Sequence, residues 1–470
     1  MAGYEVSPRI DPEDREGLPS IDALLRIDTH PVPDHYFERS PLAPSSEIFA
    51  PELFTSKDWH RKEVEGVWKK AWQVACWVNE LPKVGDYTVY DIADQSIIVS
   101  RGKDMQVRAF YNACQHRGTM LATGHGNTQG FVCSFHGWGY GLDGSLKRLP
   151  CKWDFPGVDQ SKSGLREVKC QTWNGCVWIN LDPQAEPLEA FLGPDIVGPW
   201  SRWNRDHYQK IGHVGKIMPC NWKLAMHAFI ELYHFAATHP QALGLATDIN
   251  AHYDVFGPHG RVLTCSAVPS PYLRKNDDQQ AMVKEMITAA TFNIFGEDAK
   301  LEIPIPRIPA GVHARQFLGE MSRNMFTELT GVSHAGRSDS EVLDTIDYAI
   351  FPNTILFGGW TYTMAYRVRP NGNDPESCLF EEIILREVPA DKPLEKDVQM
   401  RLLKADEKWA SAQELGGLGP VTDQDAFNLE RIQVGMHSDG LRALRFASYQ
   451  ESLCRNHLSH IVRWASRGGP

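Results

Sequence analysis

The spacing of apolar positions changes character three times along this chain. Between Ser56 and Trp72, Val64, Val67, Trp68 and Trp72 recur at helical intervals, and Ser56 stands where an N-cap belongs. A helix is predicted within 51–72, with its tryptophans packed in a core. From 73 to 182 the period shortens to two. The runs 87–90, 96–100, 107–111 and 176–180 are β-branched or aromatic, and Gly85-Asp86, Gly102-Lys103-Asp104 and Asp143-Gly144 read as turns between strands. Asp182-Pro183 closes this all-β block.

From 183 to 470 the periods mix. A helical stretch is predicted over 221–238. Strands are predicted at 348–351, 354–357, 361–369 and 378–385, with a turn over 370–375. Helices are expected again at 394–415, 424–435 and 449–464. The fold class is therefore α+β: an all-β domain followed by a domain with an antiparallel sheet flanked by helices. Residues 1–50 carry Pro8, Pro12, Pro19, Pro31, Pro33, Pro41 and Pro44. They read as an irregular arm or flexible lead-in lying on the surface or on a neighbouring subunit.

Length and composition narrow the classes. A chain of 470 residues has ample length for two or three cores. Charged residues make up 23% and the net charge is −11, which argues against a nucleic-acid surface. No apolar run approaches the roughly 18 residues a membrane span needs. The N-terminus lacks the basic start and apolar stretch of a signal peptide. Ten scattered cysteines suggest no disulfide framework, so a reducing cytoplasm is expected. Cys151, Cys170 and Cys176 lack ligand spacing and His partners and read as buried structural thiols.

Two clusters carry candidate chemistry. The first is Cys114-Gln115-His116 followed, after sixteen residues, by Cys133-Ser134-Phe135-His136. Thiolates and imidazoles are ligands for iron and zinc. One reading is a [2Fe-2S] Rieske cluster, two Cys on one iron and two His on the other. The other is a structural Cys2His2 zinc site. The Cys-His-Cys-His alternation and the glycines following each pair, Gly118 and Gly137, favour the cluster. The second cluster is His234 and His239, five residues apart. On an ideal helix they would lie about 140° apart, so they share a site only if the helix distorts or ends between them. Pro240 permits such a break. Two His and a carboxylate form the facial triad of non-haem iron oxygenases. Asp425 reads on spacing alone as a helix N-cap beside Asp423.

Taken together these motifs resemble those of Rieske non-haem iron aromatic-ring-hydroxylating oxygenases, in the alpha subunit or terminal oxygenase component. Cys114, His116, Cys133 and His136 match the cluster motif. Asn221-Trp222-Lys223, Glu231, Tyr233, His234 and His239 match the second, and Asp425 with Gln433 matches the late element. The resemblance implies a Rieske [2Fe-2S] domain over 73–182 and a mononuclear iron catalytic domain over 183–470, with the 51–72 helix packed on the latter. It implies that Asp425 joins His234 and His239 on Fe(II). It also implies that Glu231 is catalytic, linking His234 to the cluster histidine of a neighbouring subunit in a head-to-tail homotrimer, with or without a small beta subunit. Most ring dioxygenases have Asp where this chain has Glu231, and many relatives have Glu where it has His227.

The implied function is hydroxylation or dihydroxylation of an aromatic or polycyclic substrate, as in aromatic hydrocarbon catabolism. O2 is the oxidant, and electrons come from NAD(P)H through a separate reductase and a ferredoxin where one is used. The alternative is a monooxygenase carrying out O- or N-demethylation, or hydroxylating an alicyclic or amine substrate. A pure electron carrier would leave 183–470 without purpose, and a zinc-stabilised binding protein would be colourless. His227, Phe229, Ile230 and Phe235 are the candidate pocket positions, with core packing as the plainer reading for each.

Overall fold

The computed structural model describes residues 20–470 except 245, 269, 271, 273–277 and 296–303. Ser56 caps the helix Lys57–Glu63 by accepting the Trp59 amide proton at 3.2 Å. The helix then widens into a π-turn, Val64–Trp68, which buries Val64, Val67 and Trp68. Gly66 sits against the C-terminal helix Ser452–Arg467. A Cβ there would lie 2.4 Å from the Trp464 carbonyl oxygen, so the two segments meet this closely only because residue 66 is glycine. Trp68 stacks edgewise on Trp222 at 4.7 Å, which fixes the segment against the start of the iron-motif helix.

The alternating region forms an antiparallel seven-stranded sheet. Its spatial order is Gln73–Trp77, Cys176–Asn180, Glu167–Trp173, Val107–Tyr111, Gln95–Arg101, Asp86–Ile92 and His125–Asn127. A smaller sheet of Phe131–Val132, Gly139–Tyr140 and Leu146–Arg148 closes over a separate core that includes Ile98, Phe110, Trp138 and Tyr140. The two Cys-His loops leave from this pair of sheets.

The second region is organised around an eight-stranded sheet. Its order is His252–Phe256, His259–Thr264, Thr345–Ile350, Thr354–Gly358, Met364–Asn371, Asp374–Glu387, Tyr208–Met218 and Arg401–Leu403. The turn after residue 370 joins two of these strands, pairing Asn371 with Asp374. Helices Trp222–His227 and Leu418–Gly435 pack together beside it, and Ser452–Arg467 covers the strands at the other end. The chain is thus α+β, as the pattern predicts.

Five points differ from the sequence reading. Of the three cysteines expected to be buried, Cys176 is, but Cys170 is only half-buried and Cys151 is exposed. Residues 394–415 are not helical: Arg401–Leu403 is a strand, parallel to Val214–Lys216, followed by short 3-10 turns. Asp397 accepts the Lys210 amide at 2.8 Å, so pairing with the sheet overrides the local periodicity. The late helix begins at Leu418, with Pro420 in its first turn, so Asp425 lies inside it and is not an N-cap. Strand Tyr208–Met218 went unpredicted because Lys210 and His213 are buried in it and break the apolar pattern. The arm, over its described residues from 20 onward, is tied down on its own chain. Asp28 pairs with Arg315 at 3.1 Å, Thr29 bonds Asp339, and Tyr36 is fully buried.

A buried ionic knot joins the two regions. Glu381 accepts from Arg367 at 2.6 and 2.8 Å, from Arg369 at 3.1 Å, and lies 3.1 Å from His213. Arg367 donates onward to the carbonyls of Val74 and Ala75, and Arg369 to that of Asp91. Burial alone would raise Glu381, but the two guanidiniums outweigh it and hold the carboxyl well below its ordinary range. Removing this carboxylate leaves two buried cations without a counter-charge. Glu381→Ala should therefore cost about 3–5 kcal/mol in chemical denaturation. A loss below about 1 kcal/mol would show that the knot does not hold the two regions together.

Candidate metal centres

The two Cys-His loops have the same backbone. In the first, the Gly118 amide donates to the Cys114 carbonyl at 2.9 Å and the Cys114 amide to Thr119. In the second, the Gly137 amide donates to the Cys133 carbonyl at 2.9 Å and the Cys133 amide to Trp138. Both glycines take left-handed backbone, φ +77° and +73°, which explains their place after each pair. The cysteines are buried at the base of the loops. His136 is exposed at their tip and His116 half-buried, with the two rings 4.7 Å apart. His116 stacks on Trp138, the ring planes within 6°. Its Nδ1 is buried and, among the described residues, has no hydrogen-bond partner.

The Cys114 sulfur lies 3.4 Å from the Tyr140 hydroxyl. Burial raises the Cys133 thiol, but the amides of Phe135 and His136 outweigh it and bring the thiol below its ordinary value. Two thiols, two imidazoles, an orphaned ring nitrogen and amide donors at sulfur fit the donor set of a Rieske cluster.

The second centre is built on a broken helix. Asn221 caps Trp222–His227 through the Lys223 amide at 2.9 Å. That helix stops, and a single turn, Phe235–Thr238, follows after a gap. His234 stands at the N-cap of this turn and His239 at its C-cap, where the backbone has left helical geometry ahead of Pro240. The break brings the rings within 5.3 Å. His234 Nε2 lies 3.6 Å and His239 Nε2 3.0 Å from Asp425 Oδ1. The three ligand atoms lie within 4.8 Å of one another.

The other ring nitrogens are held as well. Glu231 faces His234 Nδ1 at 2.5 Å, and its second oxygen accepts the Tyr233 and His234 amides. His239 Nδ1 lies 2.8 Å from Gln424 Oε1. These contacts turn both Nε2 atoms toward Asp425, a donor set that fits a two-histidine, one-carboxylate iron site. Burial lowers His234, but Glu231 and Asp425 outweigh it and lift it above its ordinary value.

The remaining motif residues are anchors. Lys223 pairs with Glu63 at 2.6 Å, both fully buried, and Trp222 donates to the same carboxylate. Gln433 accepts the Asn221 amide at 2.8 Å and so clamps the Asp425 helix to the histidine segment. Gln424 was missed in the sequence; its position next to Asp425 was the signal.

A cavity of about 210 Å³ opens beside the triad, and Phe229, Phe235, Tyr362 and Tyr366 are among its lining residues. His227 and Ile230, candidate pocket positions in the sequence, are not. Ile230 is 1% exposed in the core, and His227 is buried 3.1 Å from His457. The helix ends just after His227; of the residues that follow, Ala228, Phe229, Glu231 and Leu232 line the cavity, while Ile230 packs into the core.

Residues 199–467 match the family model for the ring hydroxylating alpha subunit catalytic domain, and 71–159 match the Rieske [2Fe-2S] domain. A 2-aminobenzenesulfonate 2,3-dioxygenase alpha subunit from Alcaligenes sp. is 34% identical over 37% of this chain and 45% of its own. A carnitine monooxygenase oxygenase subunit from Escherichia coli K12 is 31% identical over 40% of this chain and 51% of its own. The matched stretches thus span about half the length of these curated relatives. The crystal structure of a quaternary ammonium Rieske monooxygenase superposes over 91% of this chain and 99% of its own, with TM-score 0.63 and 19% identity. That last likeness is one of fold.

Replacing Gln424 by Leu should free the His239 ring and weaken ferrous-iron affinity by about 10-fold or more, read by metal titration. An unchanged affinity would remove Gln424 from the support of the site.

Proposed function

This chain belongs to the family of ring-hydroxylating oxygenase alpha subunits, and on that premise we propose that it is a terminal oxygenase acting on a small organic substrate. The single observation that carries this reading is the convergence of His234, His239 and Asp425 beside a largely apolar cavity. We assign the cluster to Cys114, His116, Cys133 and His136, and the mononuclear iron to the triad. Once bound there, the cluster would supply electrons singly and the ferrous ion would activate O2.

The chain's own residues do the rest. Glu231 keeps the proton on His234 Nδ1 and Gln424 keeps it on His239 Nδ1, so each Nε2 lone pair stays available on the side of Asp425. The buried Asp425 carboxylate provides the negative charge of the site. Phe229, Phe235, Tyr366 and neighbouring apolar side chains hold substrate and exclude water.

Electrons are proposed to come from NAD(P)H through a separate reductase, with a ferredoxin where the system has one. We further propose a head-to-tail trimer in which Glu231 approaches His136 of the partner subunit. Its support is that His136 is exposed at a loop tip, and that Tyr233, 56% exposed, brings the Glu231 segment to the surface. The ten free cysteines suit a reducing cytoplasm. No helix among the described residues is long and apolar enough to cross a membrane.

Asp425→Ala should lose one iron per chain and all oxygen insertion while keeping the reduced cluster signal. Turnover surviving in that variant would remove Asp425 from the ligand set. Glu231→Gln should keep both metals yet slow the substrate-triggered reoxidation of the reduced cluster by about 10-fold or more. An unchanged single-turnover rate would count against the bridging role.

A further inference from the structure

Asp347 occupies a place where a carboxylate is poorly suited. It lies in the strand Thr345–Ile350, in register with Val262 on one side and Phe357 on the other. Those neighbours line the same cavity wall, as do Met364 and Tyr366. Aspartate is depleted in strand interiors, and a carboxyl among such side chains costs stability unless something pairs with it. Among the described residues nothing does: Asp347 Oδ1 is buried without a hydrogen-bond partner. Burial pushes this carboxyl well above its ordinary value, which favours its neutral form until a cationic ligand pairs with it; among the described residues no cation offsets the shift.

The other carboxylates of the cavity are engaged. Asp425 faces the two histidines, Glu231 holds His234, and Asp248 accepts the Ser270 hydroxyl at 2.7 Å and the Ile249 amide. Four acids line the space, yet no Lys or Arg does so among the described residues. An anionic substrate would therefore meet no Lys or Arg counter-ion among the described residues.

Aromatic rings stand next to Asp347 on the same wall. Phe357 lies 5.2 Å from Tyr366 and 6.2 Å from Tyr362. Both phenols are raised, first by burial and then in part by the charge of Asp347, and Tyr366 also by that of Asp425. Asp347 and the triad thus act on one shared space. An unpaired acid beside aromatic rings is the chemistry that receives an organic cation.

We propose that Asp347 is the specificity anchor for a cationic substrate, an organic ammonium ion whose nitrogen pairs with the Asp347 carboxylate against the rings of Phe357, Tyr362 and Tyr366. Its alkyl or aryl portion then occupies the apolar space toward His234 and His239. This deepens the oxygenase reading and rests on it. It selects, among the chemistries open to the fold, oxidation of an amine over that of an aromatic acid.

The test measures binding, without turnover, on metal-loaded enzyme whose reduced cluster signal has been recorded. The probes are benzyltrimethylammonium, its uncharged isostere neopentylbenzene, and phenylacetate. Wild type should bind the cation about 10-fold or more tighter than the isostere, and phenylacetate least well. Asp347→Asn, nearly the same in shape, should erase the preference for the cation. Equal binding of cation and isostere, tighter binding of phenylacetate, or a preference that survives in Asp347→Asn would overturn the assignment. The wild-type order decides even if the variant does not fold. A protein lacking the cluster signal fails the oxygenase reading itself; one with the signal but without the preference fails only the role of Asp347.

Discussion

Two imidazoles from one segment must meet a carboxylate from another, 186 residues after His239 in the chain. The architecture of the second region is arranged to keep that meeting fixed. A continuous helix through 221–239 would point His234 and His239 apart, so the helix ends and restarts as a single turn. Asp425 sits inside a long helix, where backbone hydrogen bonds fix its position. Gln433 clamps that helix to Asn221, two turns of helix away from Asp425, and Gln424 fixes the His239 ring beside it. Neither glutamine is a candidate ligand, yet both hold the geometry of the candidate ligands.

The cluster loops solve a different problem. They are short and lie near the surface, so backbone geometry alone must shape them. Each closes on a glycine with left-handed φ and points its cysteine inward and its histidine outward. The Glu381 knot then joins this β-region to the catalytic sheet through carbonyls of Val74 and Ala75. Four buried charged or titratable groups converge there, and such a network is stable only because each member is paired.

The site was legible where chemistry depends on residue type and spacing. The Cys-His pairs, the glycines after them, and the need for a broken helix before Pro240 are all visible in the sequence. Asp425 was not readable from spacing, because a carboxylate near a helix reads first as a cap; only the family resemblance made it a candidate iron ligand. The structure then put it mid-helix, facing the histidines. The strands at 87–90, 96–100 and 107–111 follow from alternation, and their partners complete the sheet. Tyr208–Met218 and Arg401–Leu403 were hidden because their stability comes from pairing and from buried ionic partners, which no local window contains. Asp347 was hidden for a related reason: only the folded cavity reveals that its Oδ1 has no hydrogen-bond partner among the described residues.

The central claim is that one chain holds both a cluster and a separate iron. Its most direct test is electron paramagnetic resonance with an iron count on anaerobically purified protein, before and after dithionite. The account predicts a reduced Rieske signal with about three irons per chain. A colourless, zinc-containing protein without that signal would contradict it.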